Sequence, residues 1–328
     1  MTPRVFSGIQ PTGAIHIGNY VGAIRNWVRL QERYESYFCI VDYHAITIPY
    51  EPAELVQRVF EAALDILAAG LDPERCVFFA QSYVPEHTEL AWVFNSQASL
   101  GALERMTQFK EKSERLNYVN AGLFTYPVLQ AADILLYKAG IVPVGEDQLQ
   151  HLELTREIAR RYNHHFGETF PEPKADLTPA ARVMALNDPV RKMSKSIPGS
   201  FISLSESDAE MRKKISRAVT DTGPTEGEMS PGVKNLFTLL EAFGTPEQVR
   251  YFQEQYEAKS LRYGELKPAV ADVVVAELAP IRARREELAA HPERVWAALE
   301  HGAERARKVA AETMIEVRAK MGLRGGRG

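Results

Sequence analysis

Residues 4–19 have the sequence RVFSGIQPTGAIHIGN, and this stretch decides the fold. Residues 4–7 form a short run with apolar character, which predicts a buried strand. The glycines and the proline of residues 8–13 predict a turn-rich loop, and from His16 onward apolar residues recur at the spacing of one helical face. The stretch therefore predicts a strand, a loop and a helix in direct succession.

The same alternation continues through the first part of the chain. Residues 37–41 and 77–81 are short apolar runs that predict strands, and residues 54–69 between them have the period of a helix that Gly70 ends. An order of strand, helix, strand, helix, strand predicts a parallel sheet with helices on both faces. We therefore expect a Rossmann-like, doubly wound α/β fold whose ligands bind beyond the carboxyl ends of the strands.

The remainder of the chain divides into three further segments. Residues 86–140 predict a helical insertion, residues 182–186 a strand, and residues 189–200 a mobile loop rich in proline, lysine and serine. From residue 201 the pattern is almost wholly helical and predicts a C-terminal helical bundle. We thus expect a catalytic domain at 1–188, the mobile loop, and a helical domain at 201–328. The candidate helices of that domain span residues 236–243, 249–256, 270–285, 295–299 and 303–321.

Composition excludes several classes of protein. The chain has 328 residues, of which 45% are hydrophobic and 25% charged, as expected for a globular protein with a large core. A net charge of -4 argues against a protein that coats nucleic acid nonspecifically. Cys39 and Cys76 lie in apolar runs and predict buried thiols. With no apolar leader or membrane-spanning run, we expect a cytoplasmic protein that does not enter a membrane.

The loop and helix start at residues 8–19 suit a triphosphate. Glycines allow close approach of the backbone, and a helix N-terminus offers unpaired N–H groups with the positive end of the helix dipole. His16 and Asn19 add polar side chains on the same edge. The alternative is a plain strand-to-helix turn capped by polar residues. The stretch is neither a P-loop nor a GxGxxG turn.

Residues 192–196 form a second candidate site with the sequence KMSKS. The ammonium groups of Lys192 and Lys195 could close over phosphates and neutralise the charge that builds up on a departing pyrophosphate. Alone, such a segment could equally be a solvated basic turn. Asp133 is a third candidate, because its sequence neighbours are apolar on all sides and predict a buried carboxylate, which needs a donor. That donor could belong to an arginine, a tyrosine, the backbone or a ligand.

Together, the element His16-Ile17-Gly18-Asn19 and the KMSKS segment resemble the paired signature motifs of class I aminoacyl-tRNA synthetases. Asn19 stands where the general class pattern has a second histidine, and both this residue and the preceding GIQPTG are similar to the tryptophanyl branch of the class. Residues 126–135 (YPVLQAADIL), 142–148 (VPVGEDQ) and 153–156 (ELTR) also resemble that branch. The resemblance runs from Phe6 through Ser196.

The resemblance implies roles for individual residues. In catalysis it implies His16, Asn19, Lys112, Lys192 and Lys195. In ATP binding it implies Gln10, Pro11, Thr12, Gly18, Asn19, Gln108, Gly145, Glu146, Asp147, Val183, Lys192, Met193, Ser194, Lys195 and Ser196. In tryptophan binding it implies Phe6, His44, Tyr126, Gln130, Asp133, Val142, Val144 and Gln148. Asp133 would accept the indole N–H, and His44 would either line the carboxylate of the amino acid or cap a turn.

The activity implied is formation of tryptophanyl adenylate from L-tryptophan and ATP, followed by transfer to tRNA(Trp). ATP is a substrate, Mg²⁺ accompanies its phosphates, no resident metal is implied, and family members form homodimers. Three alternatives remain at this point: a tyrosyl-tRNA synthetase, a small-molecule adenylyltransferase, and a synthetase-like tRNA-binding or regulatory protein without catalysis. Basic clusters near residues 212–217, 282–285 and 318–327 permit a tRNA partner but are also typical of solvated helix faces.

Overall fold

The computed structural model describes residues 3–11, 13, 15–114, 118–177, 183–193, 199–221 and 229–323. The predicted site residues Thr12, Ser194, Lys195 and Ser196 lie outside the described residues. The side chains of Lys112 and Glu146 lie outside them as well.

Five described strands form one parallel sheet: β1 (Arg4–Ile9), β2 (Glu35–Ile40), β3 (Val77–Ala80), β4 (Ile141–Val144) and β5 (Lys174–Leu177). Their spatial order is β3-β2-β1-β4-β5, so β1 lies at the centre. The chain moves to one side of β1 for β2 and β3 and to the other side for β4 and β5. A crevice therefore opens where the order reverses, at the carboxyl ends of β1 and β4. The predicted Rossmann-like fold is confirmed.

The described helices surround this sheet and make up the C-terminal part. Between β3 and β4 the described residues form helices and no strand. None of the described helices combines the length and the apolar character needed to cross a bilayer. In chain order they are α1 (Ile17–Asn19), α2 (Arg25–Leu30), α3 (Asp42–Ala45), α4 (Pro52–Ala68), α5 (Glu86–Asn95), α6 (Leu100–Glu104), α7 (Thr107–Ser113), α8 (Ala121–Leu136), α9 (Leu149–Phe166), α10 (Asp208–Ser216), α11 (Pro231–Phe243), α12 (Pro246–Glu257), α13 (Tyr263–Ala289) and α14 (Pro292–Met321).

The described part of the strand predicted at residues 182–186 is not part of the sheet. Arg182 lies outside the described residues, and Met184 forms an isolated antiparallel bridge with Lys192 instead. The sheet's second half is built from β4 and β5, which the sequence did not predict as strands. For β5, the exposure of most of its residues explains this, because a strand at the sheet edge lacks the apolar run that marks a buried strand.

Side chains that alternate along the strands form two apolar clusters, one on each face of the sheet. On the first face, Phe38 and Phe78 pack with helices α2 and α4 and with apolar residues of α10 to α13. On the second face, Phe79 packs with α5, α8 and α9 and with the small residues of α14. The C-terminal helices thus share both cores with the sheet. The division into domains at residues 188 and 201 remains a prediction.

Helix α14 is continuous where two helices were predicted. Gly302, which suggested a break, lies buried inside it. A Cβ atom there would overlap the carbonyl oxygen of Phe78 in β3. The glycine therefore serves close packing of α14 on the sheet, and the sequence interpretation of it as a helix end was wrong. Pattern alone cannot distinguish a glycine that ends a helix from one that lets a helix approach its neighbour.

Gly302→Ala should separate α14 from β3, because the added methyl group has no space beside the Phe78 carbonyl. We expect the free energy of unfolding to fall by roughly 1–3 kcal/mol, as measured by urea denaturation. Gly264→Ala is the matched control, since a Cβ at Gly264 in α13 meets no atom within 4 Å. That variant should be neutral or more stable by up to about 1 kcal/mol. Equal stability of the two variants would contradict the packing argument.

Candidate active site

An open cleft of about 980 Å³ lies at the carboxyl ends of β1 and β4. It brings together most of the residues predicted from the sequence. Pro11 is buried and does not line it. The predicted residues that do line it are Phe6, Gln10, His16, Gly18, Asn19, His44, Gln108, Tyr126, Gln130, Asp133, Val142, Val144, Gly145, Asp147, Gln148, Val183, Lys192 and Met193.

His16 and Asn19 hold each other at one end of the cleft. His16 is the N-cap of α1, and its Nδ1 accepts the Asn19 N–H at 3.3 Å. Asn19 Oδ1 in turn accepts the His16 N–H at 3.4 Å. A Cβ at Gly18 would lie 2.9 Å from the His16 ring, so this position requires the absence of a side chain. The predicted capping role and the placement beside a ligand cleft are thus both present in the same residues.

Backbone hydrogen bonds hold the residues on both sides of the lysine segment, residues 192–196. On its N-terminal side, the Ala185 N–H donates to the Arg191 carbonyl at 2.9 Å. On its C-terminal side, the Leu186 N–H donates to the Ser200 carbonyl and the Ile17 N–H to the Ile202 carbonyl, each at 2.9 Å. The segment that follows the lysines is therefore attached directly to the loop that carries His16.

Lys192 lies across the cleft near the end that carries His16. Its Nζ lies 3.9 Å from Oδ2 of Asp147, which follows β4. Gln108, on the insertion helix α7, donates from Nε2 to the Asp147 carbonyl at 3.3 Å. The cationic group, the loop after β4 and the insertion thus meet at one place.

At the other end of the cleft, Asp133 on α8 is enclosed by polar side chains. Its Oδ1 accepts from Gln81 Nε2 at 2.6 Å and lies 2.7 Å from His87 Nδ1. Its Oδ2 lies 2.8 Å from His44 Nε2. Burial alone would raise the pKa of Asp133, but the hydrogen bonds with His44 and His87 outweigh it and lower the pKa to about 2. The carboxylate is therefore ionised at neutral pH.

An ionised carboxylate only accepts hydrogen bonds, which assigns the direction of each contact. His87 Nδ1–H then donates to Asp133, and in a neutral ring Nε2 accepts from the Tyr137 hydroxyl at 2.8 Å. Each carboxylate oxygen has two acceptor positions. Oδ1 is filled by Gln81 and His87, whereas Oδ2 has one described donor, His44. Oδ2 can therefore accept one further donor.

The surroundings of Asp133 combine apolar walls with a second polar pair. Phe6 is buried and stacks on Tyr137 with ring centroids 5.8 Å apart. Val142 is buried and Val144 half-buried on β4. The Tyr126 hydroxyl lies 2.8 Å from His151 Nε2, and burial raises its pKa, so it stays protonated. This end suits a flat apolar group that carries one N–H donor.

The family described as class I tRNA synthetases (W and Y) matches residues 1–279. The chain belongs to this family. It is 48% identical to tryptophan–tRNA ligase 2 of Streptomyces avermitilis, over 98% of this chain and 97% of that protein. It is 45% identical to tryptophan–tRNA ligase of Bacillus subtilis, over 98% of each. The tryptophanyl-tRNA synthetase of Campylobacter jejuni complexed with ADP and tryptophan superposes with a TM-score of 0.84 at 37% identity, covering 97% of this chain and 99% of that one.

Sequence reasoning did not identify Gln81 and His87, which hold the Asp133 carboxylate. It expected the partner of a structural Asp133 to be an arginine, a tyrosine or the backbone, and the described partners are instead an amide and two imidazoles. One weak signal existed, since Gln81 ends a predicted strand and His87 follows it closely, at the edge where sites form.

Asp133→Asn should change how stability depends on pH. The pKa of Asp133 in the folded protein, about 2, lies below the ordinary 3.8. Ionised Asp133 therefore contributes about 2 kcal/mol to the free energy of unfolding above pH 4. That contribution is lost as the pH falls toward 2. The gap in unfolding free energy between wild type and variant should therefore narrow below about pH 4 in urea denaturation. Asp176→Asn, at an exposed carboxylate on β5, should show no such gap. A gap independent of pH would contradict the assigned charge.

Proposed function

We propose that this chain is a tryptophan–tRNA ligase. It activates L-tryptophan with ATP to tryptophanyl adenylate and pyrophosphate, and then transfers the amino acid to tRNA(Trp). The observation that carries the proposal is the buried, ionised Asp133 with one acceptor position left, at the opposite end of the cleft from His16 and Lys192. The full-length relatives named tryptophan–tRNA ligase support it further.

Tryptophan specificity follows from the chemistry around Asp133. The indole N–H would complete the acceptor set of Oδ2 while the ring lies against Phe6 and Val142. Phenylalanine has no such donor and would leave a buried carboxylate oxygen unpaired. Sites that depend on one polar group reject analogues without it by about 10⁴-fold or more. His44, Tyr126, Gln130, Val144 and Gln148 would line the remainder of this pocket.

ATP would occupy the end with His16, and the ADP in the Campylobacter jejuni structure is consistent with nucleotide binding by this family. The reaction is an in-line attack of the tryptophan carboxylate on the α-phosphorus, with pyrophosphate leaving. No protein nucleophile is needed, so catalysis consists of positioning and electrostatic stabilisation. His16 and Asn19 would orient the nucleotide. Lys192, Lys195 and, from the insertion, Lys112 would neutralise charge on the phosphates.

Mg²⁺ would reach the site with ATP. Among the described residues, no group of three or more His, Cys, Asp or Glu side chains is arranged to hold a metal ion. Asp147, a carboxylate that lines the cleft, is already close to Lys192. This donor set fits an ion held mainly by phosphate oxygens and water, which is the usual coordination of Mg²⁺ in nucleotide enzymes. Its contribution would be to neutralise the triphosphate.

The C-terminal helices would bind the anticodon of the tRNA. Most of the basic clusters there are already used within the fold, since Arg212 pairs with Asp272, Arg282 with Asp208, and Arg318 with Glu89. Lys213 and Arg217 are exposed and form no ion pair with a described residue. These two cations are therefore the better candidates of their cluster for a phosphate contact.

The alternatives make different demands on the same cleft. A tyrosine site would have to satisfy a phenol that both donates and accepts, whereas Asp133 only accepts. A small-molecule adenylyltransferase would not need the long helical part that shares both cores with the sheet. A binding protein without catalysis would be expected to lack the phosphate-binding side chains, yet His16 and Lys192 both line the cleft.

ATP–pyrophosphate exchange with each of the twenty amino acids tests the proposal. With Mg²⁺ present, tryptophan should support exchange at least about 10⁴-fold better in kcat/KM than phenylalanine, because the buried acceptor discriminates between them. Exchange driven by tyrosine would keep the class but contradict the pocket assignment. No exchange with any amino acid would favour a binding protein.

The same assay also tests the role of the lysine segment in catalysis. Lys195→Ala should slow exchange by about 10²–10³-fold while changing ATP affinity little, because the lysine acts on charge that develops in the transition state. Lys308→Ala, at an exposed lysine on α14, should leave the rate unchanged. A normal rate in Lys195→Ala would contradict the role given to the lysine segment.

We further propose a homodimer formed through the first half of the chain. Eight large apolar side chains of the described residues between 46 and 119 are exposed, including Trp92 at 78% and Tyr118 at 77%. The Asn120 side chain donates to the Thr47 carbonyl at 3.0 Å, which brings the segments around residues 47 and 119 together. The eight are Ile46, Ile48, Tyr50, Val56, Trp92, Leu100, Tyr118 and Val119. Exposed apolar side chains of this kind are typical of protein interfaces and support the proposal.

Sedimentation equilibrium should give the mass of a dimer for the wild type. Trp92→Glu should shift it toward the monomer, because a charge placed in an apolar interface is desolvated without a partner. Tyr251→Glu changes a similarly exposed aromatic residue on α12 and should leave the dimer intact. A monomeric wild type, or a dimer unaffected by Trp92→Glu, would rule out this interface.

A further inference from the structure

A buried carboxylate lies behind the loop that carries His16. Asp65 on α4 is fully buried, and its Oδ2 accepts the backbone N–H of Ile15 at 2.9 Å. Its Oδ1 accepts from Nε of Arg285, on α13, at 2.6 Å. Arg285 also pairs with Glu61, one turn earlier on α4. A backbone group next to the predicted ATP-binding residues is thus connected through one side chain to a C-terminal helix.

This arrangement is costly for stability alone. Asp65 has apolar neighbours along α4, and burial, the largest influence, raises its pKa despite the donors that surround it. Buried ion pairs generally add little stability compared with apolar residues of the same volume. What the pair does provide is a defined position: the Ile15 N–H must lie where a carboxylate held by α13 can accept it.

The other side of the same loop is held by the segment after the lysines. The Leu204 N–H donates to the Ile15 carbonyl at 3.0 Å, as the Ile17 N–H does to Ile202. A second contact with α13 follows directly, where the Tyr20 hydroxyl donates to Glu277 at 2.8 Å. Residues 15–20 are therefore fixed between α13 and the C-terminal flank of the lysine segment.

We propose that Asp65 and Arg285 are positioning residues that set the His16–Asn19 element relative to α13. Of the C-terminal helices, α13 packs most extensively on α4. A displacement of α13 would therefore be transmitted through this pair to the ATP end of the cleft. The inference rests on the proposed function, because it assigns ATP to the His16 end.

The two faces of the sheet give the proposal a specific signature. Ile15 packs in the core cluster on the face of α2 and α4. The residues around Asp133, including Phe6 and Val142, pack in the cluster on the opposite face. Loss of the Asp65–Arg285 link should therefore affect ATP and leave tryptophan almost unaffected. Simple destabilisation would instead reduce the active fraction and change neither KM.

Kinetics of ATP–pyrophosphate exchange separate these outcomes. Asp65→Asn keeps an oxygen for the Ile15 N–H but removes the charge that holds Arg285, and Arg285→Gln removes the same contact from the other side. Each should raise KM for ATP on the order of tenfold, with KM for tryptophan within about twofold of the wild type. Because both changes break one link, the double variant should resemble the single variants rather than add their effects. Tyr20→Phe should raise KM for ATP in the same direction by a smaller factor.

Asp272→Asn is the matched control. It breaks the pair with Arg212, which also joins α13 to another helix but is exposed and includes no residue that contacts Ile15. Neither KM should change. A fall in kcat with both KM values unchanged, or an equal rise in both, would overturn the positioning role. Calorimetric binding of ATP alone gives a second readout. If the wild type showed no tryptophan-dependent ATP–pyrophosphate exchange, the proposed function would be contradicted. Weaker ATP binding by Asp65→Asn than by the wild type would still support the link.

Discussion

A carboxylate removed from water must be met by donors, and this requirement organises the molecule on both faces of its sheet. Asp133 accepts hydrogen bonds from Gln81, His87 and His44, which brings together α8, the turn after β3, α5 and α3. Asp65 is met by Ile15 and Arg285, which joins α4, the loop after β1 and α13. In each case the donors come from distant parts of the chain, so the charge fixes their relative positions.

The central strand explains why the two carboxylates can serve one cleft. β1 has neighbours on both sides, and the loop at its carboxyl end enters the crevice between them. Residues on one face of β1 contact the Asp133 end, and the loop that continues from it contacts Asp65. A substrate bound across the cleft would therefore contact two chemically different sets of residues, which come from different faces of the sheet. One end depends on apolar walls with a single acceptor, and the other on backbone groups, lysines and a helix start.

The C-terminal helices are more than an attached module in this arrangement. α13 packs on α4, where Arg285 holds the Asp65 that accepts the Ile15 N–H, and its Glu277 accepts from Tyr20. α14 packs closely on β3 where Gly302 lacks a side chain. Contacts of this kind connect the C-terminal helices physically with the end of the cleft that carries His16. Arginines of the basic clusters, which permitted a tRNA partner without demonstrating one, are paired with acidic residues of the protein itself.

The sequence by itself determined the parallel α/β sheet, the family and the burial of Asp133, because each depends on local pattern: short apolar runs, signature motifs and apolar neighbours along one helix. Only the tertiary structure decided that β4 and β5 complete the sheet, that Gly302 lies within a helix, and that Gln81, His87 and Arg285 hold the two carboxylates. These features depend on contacts between residues far apart in the chain, such as the 220 positions between Asp65 and Arg285. Such contacts leave no periodic signal in sequence, since the geometry that creates them exists only once the sheet and helices have packed.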